Sequence, residues 1–476
     1  MKNIIFIPID NRPVCYQLPL QIIKMNPEYK LLMPDINLMG NLKKTADISS
    51  IIKWLDKIDN ADIIIAALDT IAYGGLIPSR RSNNSFEEIK ERIIDFSNTV
   101  KKKNAKIFAF SSIMRISNNN INEEEKEYWN LYGTKIFNYS YNIHKSETEK
   151  TEEIVRNAEI AAKEVPDNIL SDYLKTRKRN FEINKLYIEL KKQGLFDTLV
   201  FSKDDCSQYG LNVKEAEELT TLSENINGIY IKTGADEIPL TLLSRAINKN
   251  KKVKIAPVYT NPESIEKISR YEDIAVEKSV KSQIELSGGI VSDINNCDLI
   301  LLVNNFKNIQ GDLVMNYEEP LFDKDLSLPE KPYFIADILN ANGSDDNFVK
   351  AFLDKEDIGD FYGYAAWNTT GNTLGSAIST ALMLYCAENP DFEAFWNLQL
   401  TRFLDDWAYQ ANVRRIFYQN NNEISKLKTY IQEYEKIVCN KFKIENIQIK
   451  YTFPWNRLFE INVELIKKQQ PDSVTL

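Results

Sequence analysis

The sequence predicts an α/β fold, and three observations carry the prediction. Short, nearly continuous apolar runs recur along the chain, each is followed by polar or glycine-rich residues, and amphipathic stretches fill the intervals. Apolar runs of about four to six residues suit strands buried on both faces, as in a parallel sheet, and alternation of strand with helix marks an α/β architecture.

In chain order the runs are IIFIPIDNRP (4–13), YKLLMPD (29–35), ADIIIAALDT (61–70), AKIFAFSSIMR (105–115), DTLVFSKDD (197–205), GIYIKTGADE (228–237), VKIAPVYTN (253–261), CDLILLVNN (297–305), YFIADILNANG (333–343) and YGYAAWNTTGN (362–372). SFEEIKERIIDFSNTVKKK (85–103) is a representative helix between them, with Phe86, Ile89, Ile93, Ile94 and Val100 on one face. The interval from about 120 to 195 has no strand signal; EKTEEIVRNAEIAAKEV and YLKTRKRNFEINKLYIELKKQ read as a helical insertion. Beyond about 375 strand signals stop, and DFEAFWNLQLTRFLDDWAYQANVRRIF and ISKLKTYIQEYEKIV read as helices. The runs outnumber the eight strands of a closed barrel, so either some lie outside it or the chain forms two doubly wound sheets, and spacing does not separate these options. The expectation adopted is a TIM-like (β/α) barrel over 1–375, with the insertion at 120–195 and a helical C-terminal region over 376–476.

Bulk properties narrow the function classes. The chain has 476 residues, 43% hydrophobic and 27% charged, with a net charge of −9. That acidity argues against general binding of nucleic acid or anionic membrane. The five cysteines, Cys15, Cys206, Cys297, Cys386 and Cys439, are scattered without a CxxC pair, which disfavours a disulfide framework or zinc site and suits a reducing, cytoplasmic setting. MKNIIFIPIDNRP carries only a short β-branched apolar stretch before DNR, where a secretory core needs roughly 7–15 residues, and no run approaches the ~20 residues of a membrane-spanning helix. A single histidine, His144, leaves Ser-His-Asp triads and multi-histidine metal sites with almost nothing to build on. Chemistry therefore falls to carboxylates, Tyr, Lys and Arg, and no cofactor or metal is assigned.

In parallel α/β folds ligands bind beyond the carboxyl ends of strands. The residues there are Asp10 and Arg12; Asp69 and Tyr73; Arg115; Asp204 and Asp205; Asp236 and Glu237; Asp337, Asn340 and Asn342; and Trp367, Asn368 and Asn372. Carboxylates, amides, arginine and an aromatic platform are what recognition of a sugar requires, although loops are polar for solvation alone. Asp204 and Asp205 stand out, because two carboxyls held close cannot both ionise cheaply: one keeps a proton toward neutral pH beside an ionised partner. That is the requirement for cleaving a glycosidic bond. Each assignment has a structural counterpart. One aspartate of the pair can cap a helix while the other faces water, Asp236 can N-cap the helix after TGADE, Arg12 can neutralise Asp10, and Trp367 can pack in the core. Asp10, Asp69, Asp204 and Asp236 could alternatively supply oxygen ligands to Mg²⁺ or Ca²⁺.

The segments IPIDNRP, LDTIAYGGLIPSR, IMRIS with the later YWNLYG, FSKDDCSQYG, GADEIPLTLLSRA, IADILNANGSD, AWNTTGNTLG, DDWAYQANVR and FPWNRLFE, in this order over nearly the whole chain, resemble the bacterial family designated domain of unknown function 4127. More loosely, a strand ending in two aspartates is similar to the TIM-barrel hexosaminidase-type glycoside hydrolases. That resemblance implies that Asp204 orients the substrate acetamido group and Asp205 is the general acid/base. The functional expectation is a glycoside hydrolase-like enzyme acting on a small or terminal sugar, N-acetylated sugars included, with a small-molecule carbohydrate as its partner. The alternative is a non-catalytic sugar or polar-ligand binding protein with two doubly wound lobes.

Overall fold

The apolar runs form strands, but the strands do not close into a barrel. In the computed structural model, which describes residues 1–248, 251–317, 319–419 and 424–468, they divide into two open parallel sheets. The chain correspondingly forms two compact units. One comprises Met1–Tyr16, Glu28–Ala246 and Tyr271–Ile274; the other comprises Gln17–Pro27, Ile247–Arg270 and Ala275–Leu476.

The first unit holds β1 (Lys2–Ile7), β2 (Tyr29–Leu32), β3 (Ile63–Ala67), β4 (Lys106–Ile113), β5 (Thr198–Lys203) and β6 (Ile229–Thr233), all parallel in the order β2-β1-β3-β4-β5-β6. The central β3, Ile-Ile-Ile-Ala-Ala, is buried along its whole length, whereas the edge strands β2 and β6 are mostly half-exposed. Such graded edges belong to an open sheet, since a closed barrel has none. The apolar core includes Ile5, Ile7, Ile64, Ile107, Leu199 and Phe201, each fully buried aliphatic or aromatic side chain contributing about 1.5–3 kcal/mol.

Helix Phe86–Lys101 shows how the sequence sets one element. Ser85 caps it reciprocally with Glu88, and Ile89, Ile93, Phe96 and Val100 face the core. Ile94, expected on that face, is 45% exposed; Phe96, three residues beyond Ile93, continues the stripe instead. The interval between β4 and β5 holds helices Trp129–Glu149, Glu152–Lys163 and Asp167–Lys192. They make the crossover that returns the chain to a parallel neighbour.

The second unit contains β7 (Lys254–Tyr259), β8 (Ile290–Val291), β9 (Leu299–Asn304), β10 (Gly311–Asp312), β11 (Tyr333–Asp337), β12 (Asn340–Ala341) and β13 (Phe361–Ala365). Its main sheet runs β13-β11-β9-β7-β8, with β10 and β12 as a separate short parallel pair. Counted along the chain, this is the same 2-1-3-4-5 pattern that begins the first sheet, the order of flavodoxin-like doubly wound folds. Helix Thr370–Cys386 follows β13 and is buried at nearly every position. Then come helix Phe392–Arg402, a π-helix Phe403–Val413, and helices Arg414–Gln419 and Ile424–Phe442.

The C-terminal part is not wholly helical. Strands β14 (Ile447–Thr452) and β15 (Asn462–Lys467) pair antiparallel. Their half-exposed residues lack the continuous apolar signature of the other strands. No helix among the described residues is long and apolar enough to cross a membrane.

Candidate functional site

The carboxyl edge of the first sheet gathers charged side chains from four strand ends. Arg12, just past β1, donates through Nε to Asp10 Oδ2 at 2.9 Å and through both Nη atoms to Asp236 at 3.1 and 2.5 Å. It thereby ties the loop after β1 to the loop after β6, although these strands are not neighbours in the sheet. The Oδ atoms of Asp10 and Asp236 and the Sγ of Cys15 lie within 4.8 Å of one another, a spacing that suits a metal ion. The Arg12 guanidinium bonds both carboxylates there, so a cation at this point competes with a buried ion pair.

Arg115, past β4, makes a second junction. Its Nε donates to Glu125 Oε1 at 3.2 Å, its Nη2 to Glu124 Oε2 at 2.9 Å and its Nη1 to Asp205 Oδ2 at 3.0 Å. Asp204 Oδ2 lies 3.8 Å from the same Nη1. Arg80 closes the far side by donating to Glu125 Oε1 at 2.7 Å. Asp10 and Asp236 are thus committed to Arg12, and Glu125 to Arg80 and Arg115. Asp204 and Asp205 differ: the Asp204 side chain makes no hydrogen bond among the described residues, and Asp205 uses a single oxygen. Their side chains remain 15% and 28% exposed.

The pair also sits in unusual backbone and electrostatic surroundings. Asp205 has φ +41°, in the left-handed region where aspartate is one of the few tolerated side chains. Burial raises the Asp205 pKa to about 6, the neighbouring Asp204 charge adds to the rise, and Arg115 opposes it. Burial raises Asp204 as well, again against Arg115, and the charge of Asp236 acts in the same upward direction. The two arginine junctions are therefore electrostatically one site.

The other sequence candidates of this unit lie deeper. Asp69 is buried; its Oδ2 accepts the Ser112 N–H at 2.8 Å, its Oδ1 has no partner among the described residues, and burial pushes its pKa to about 7. Tyr73 belongs to the apolar core, with the Arg179 guanidinium 5.4 Å from its ring centre. Glu237 is fully buried and accepts the Ala235 N–H at 2.9 Å. None of these three presents its polar atoms where Asp204 and Asp205 do.

The remaining candidates belong to the second unit. Asp337, at the end of β11, accepts from Asn304 Nδ2 at 2.9 Å, Tyr364 Oη at 3.1 Å and the Asp345 N–H at 2.7 Å, and burial raises its pKa to about 7. Asn342 has φ +65° and donates to Asp312 Oδ1 at 3.1 Å. Asn368 has φ +61° and accepts the Asn342 N–H through its carbonyl at 2.7 Å. Asn340 and Asn372 are buried, with Nδ2 of the first and Oδ1 of the second lacking partners among the described residues. Trp367 is 3% exposed, so its ring is a packing element and not an open stacking surface.

With this geometry in view, the comparisons place the chain. It belongs to the family described as Protein of unknown function (DUF4127). The family model matches residues 4–464. No curated protein and no solved structure matches it. Within that match, Arg115, the partner of the aspartate pair, is among the strand-end candidates of the sequence, but the glutamates that share it were not visible there. Glu124 and Glu125 sit in NEEEKE, which reads as a solvated acidic run, and only their pairing with the distant Arg80 and Arg115 distinguishes them.

Proposed function

We propose that the carboxyl edge of the first sheet is a carboxylate acid–base centre that cleaves a glycosidic bond of a small or terminal sugar, N-acetylated sugars included. The observation that carries this reading is the pair of adjacent aspartates beside one arginine, Asp205 bonded to it through a single oxygen and both side chains still partly exposed. Asp205, with its pKa near 6, holds a proton in a useful fraction of molecules toward neutrality and gives it to the glycosidic oxygen as the C–O bond breaks. Its carboxylate then takes a proton from the water that completes hydrolysis. Asp204 accepts from a substrate hydroxyl or amide N–H, and Arg115 fixes the pair in register. Proton transfer of this kind contributes about 10²–10⁴-fold. Carboxylates outnumber guanidiniums in the cluster, which favours a neutral polyhydroxylated substrate over an anionic one. No cysteine forms a disulfide, which fits a reducing, cytoplasmic setting for the reaction.

A second reading is favoured by one observation: two open doubly wound sheets with the same strand order suit a non-catalytic protein binding a sugar or other polar ligand. One experiment separates the two. Chromogenic glycosides, N-acetylated ones among them, are screened with wild type and Asp205→Asn in parallel, with calorimetric titration of the parent sugars. Turnover by wild type that falls at least about 10²-fold in the variant supports the enzyme. Saturable binding by both proteins without turnover replaces it with the binding function, and equal turnover by both removes Asp205 from the chemistry.

A further inference from the structure

A separate feature of the second unit points to a ligand of different chemistry. Arg414 follows the π-helix Phe403–Val413 and is 4% exposed. A π-helix is rare and tends to mark functional positions. Here its wider turn sets Gln410 five residues beyond Asp405, and Gln410 Nε2 donates to Asp405 Oδ1 at 3.2 Å. Gln410 Oε1 in turn accepts from Arg414 Nη1, and the Asn342 carbonyl accepts from Arg414 Nη2 at 3.1 Å. Both direct partners are neutral. The nearby carboxylates stand one step back: Asp405 behind Gln410, and Asp312 behind the Asn342 side chain, which donates to Asp312 Oδ1 at 3.1 Å. No carboxylate of the described residues lies within ion-pair distance of this buried guanidinium.

Burying a cation without a contacting anion is costly, and burial lowers the Arg414 pKa accordingly. Arg414 also lines a cavity of about 520 Å³, whose walls include Leu313, Val314, Tyr418 and Phe459, with Asn316, Gln419 and the exposed Arg415 as the other polar lining. That volume falls within the ~300–1,000 Å³ of small-molecule sites. A planar guanidinium held by two neutral acceptors keeps N–H donors in a fixed fork, the geometry that receives a carboxylate. The apolar walls then take up the body that carries it.

We propose that this cavity binds a small organic acid, with its carboxylate on Arg414 and its apolar or aromatic body against Val314, Tyr418 and Phe459. The proposal is independent of the aspartate pair in the first unit. The test titrates the full chain by calorimetry with phenylacetate, its neutral isostere phenylacetamide, and inorganic phosphate. Phenylacetate is expected to bind saturably and about tenfold or more tighter than phenylacetamide, and Arg414→Gln is expected to abolish that preference. Because Arg414 is buried and its variant is at risk of misfolding, Val314→Trp serves as the second probe. Val314 is 40% exposed, so the bulky ring fills the cavity from its rim, leaving the thermal transition in place and weakening phenylacetate about tenfold or more. Equal binding of acid and amide, phosphate binding without phenylacetate binding, no saturable binding at all, or full phenylacetate affinity in Val314→Trp would each overturn the proposal.

Discussion

Glu237→Gln is predicted to remove a pH dependence from the stability of the first unit. Glu237 is fully buried beyond β6, and burial raises its pKa to about 8 from an ordinary 4.5. A carboxyl whose pKa rises on folding holds its proton more tightly in the folded state. Its contribution is therefore fully present below the unfolded pKa and is lost as pH climbs through the folded one. The window here runs from about pH 4.5 to 8. At roughly 1.4 kcal/mol per pKa unit, passing from pH 5 to pH 8 costs the folded state about 3 kcal/mol through this residue alone. Glutamine keeps an oxygen to accept the Ala235 N–H but does not titrate. The assay is urea unfolding of both proteins at the two pH values, with the difference of differences as the readout. Asp69, Asp337 and Asp406 are also raised, each to about 7, but they act in both proteins and cancel. Wild type should lose about 3 kcal/mol more than the variant between pH 5 and pH 8. Parallel losses would refute the claim that Glu237 keeps its proton in the fold.

Other consequences are as direct. Arg12→Leu leaves Asp10 and Asp236 buried without their shared counter-ion, and urea unfolding should report a loss of about 3–5 kcal/mol. Arg115→Met removes the larger of the two arginine influences, Arg115 and Arg80, that lower both members of the aspartate pair. The Asp205 carboxyl should then titrate about a unit higher by carbon NMR, and the alkaline limb of any pH–rate profile should move up with it, because a general acid works only while protonated. Gly363 has φ +135°, and an added Cβ would stand 2.8 Å from Thr380 Cγ2; Gly363→Ala should cost about 1–3 kcal/mol, read as a lowered unfolding free energy.

Strand positions were legible because burial on both faces leaves a local trace, the short apolar run, that needs no knowledge of the rest of the chain. Sheet closure left no such trace. A barrel strand and a doubly wound strand meet the same local environment, and only pairing order, β2-β1-β3 in one unit and β8-β7-β9 in the other, distinguishes them. The hairpin β14–β15 was missed for the opposite reason, since its exposed positions break the run. At the site, Asp204 and Asp205 stood out because an apolar strand stopped on them. Trp367 misled because its polar neighbours suggested an open strand end. Helix Thr370–Cys386 begins there instead, and its Thr373 hydroxyl bonds the Trp367 carbonyl at 3.0 Å.

The charged cluster at the first sheet's edge and Asp337 at the second's meet the cost of buried carboxyls by different chemistry. In the first, guanidiniums stand against carboxylates: Arg12 between Asp10 and Asp236, and Arg115 among Glu124, Glu125 and Asp205. Burial still raises both of the least committed aspartates, Asp205 to about 6, against the pull of Arg115. Among the described residues, no guanidinium takes part at the end of β11. Asn304, Tyr364 and a backbone N–H surround Asp337, whose pKa near 7 means that a proton does much of the neutralising. A carboxyl with its hydrogen bonds already filled has little left to offer a substrate, whereas one pinned at a single oxygen has a lone pair and a transferable proton to spare. That difference in commitment, more than the number of acidic residues at either edge, is why the chemistry is assigned to Asp204 and Asp205 and not to Asp337.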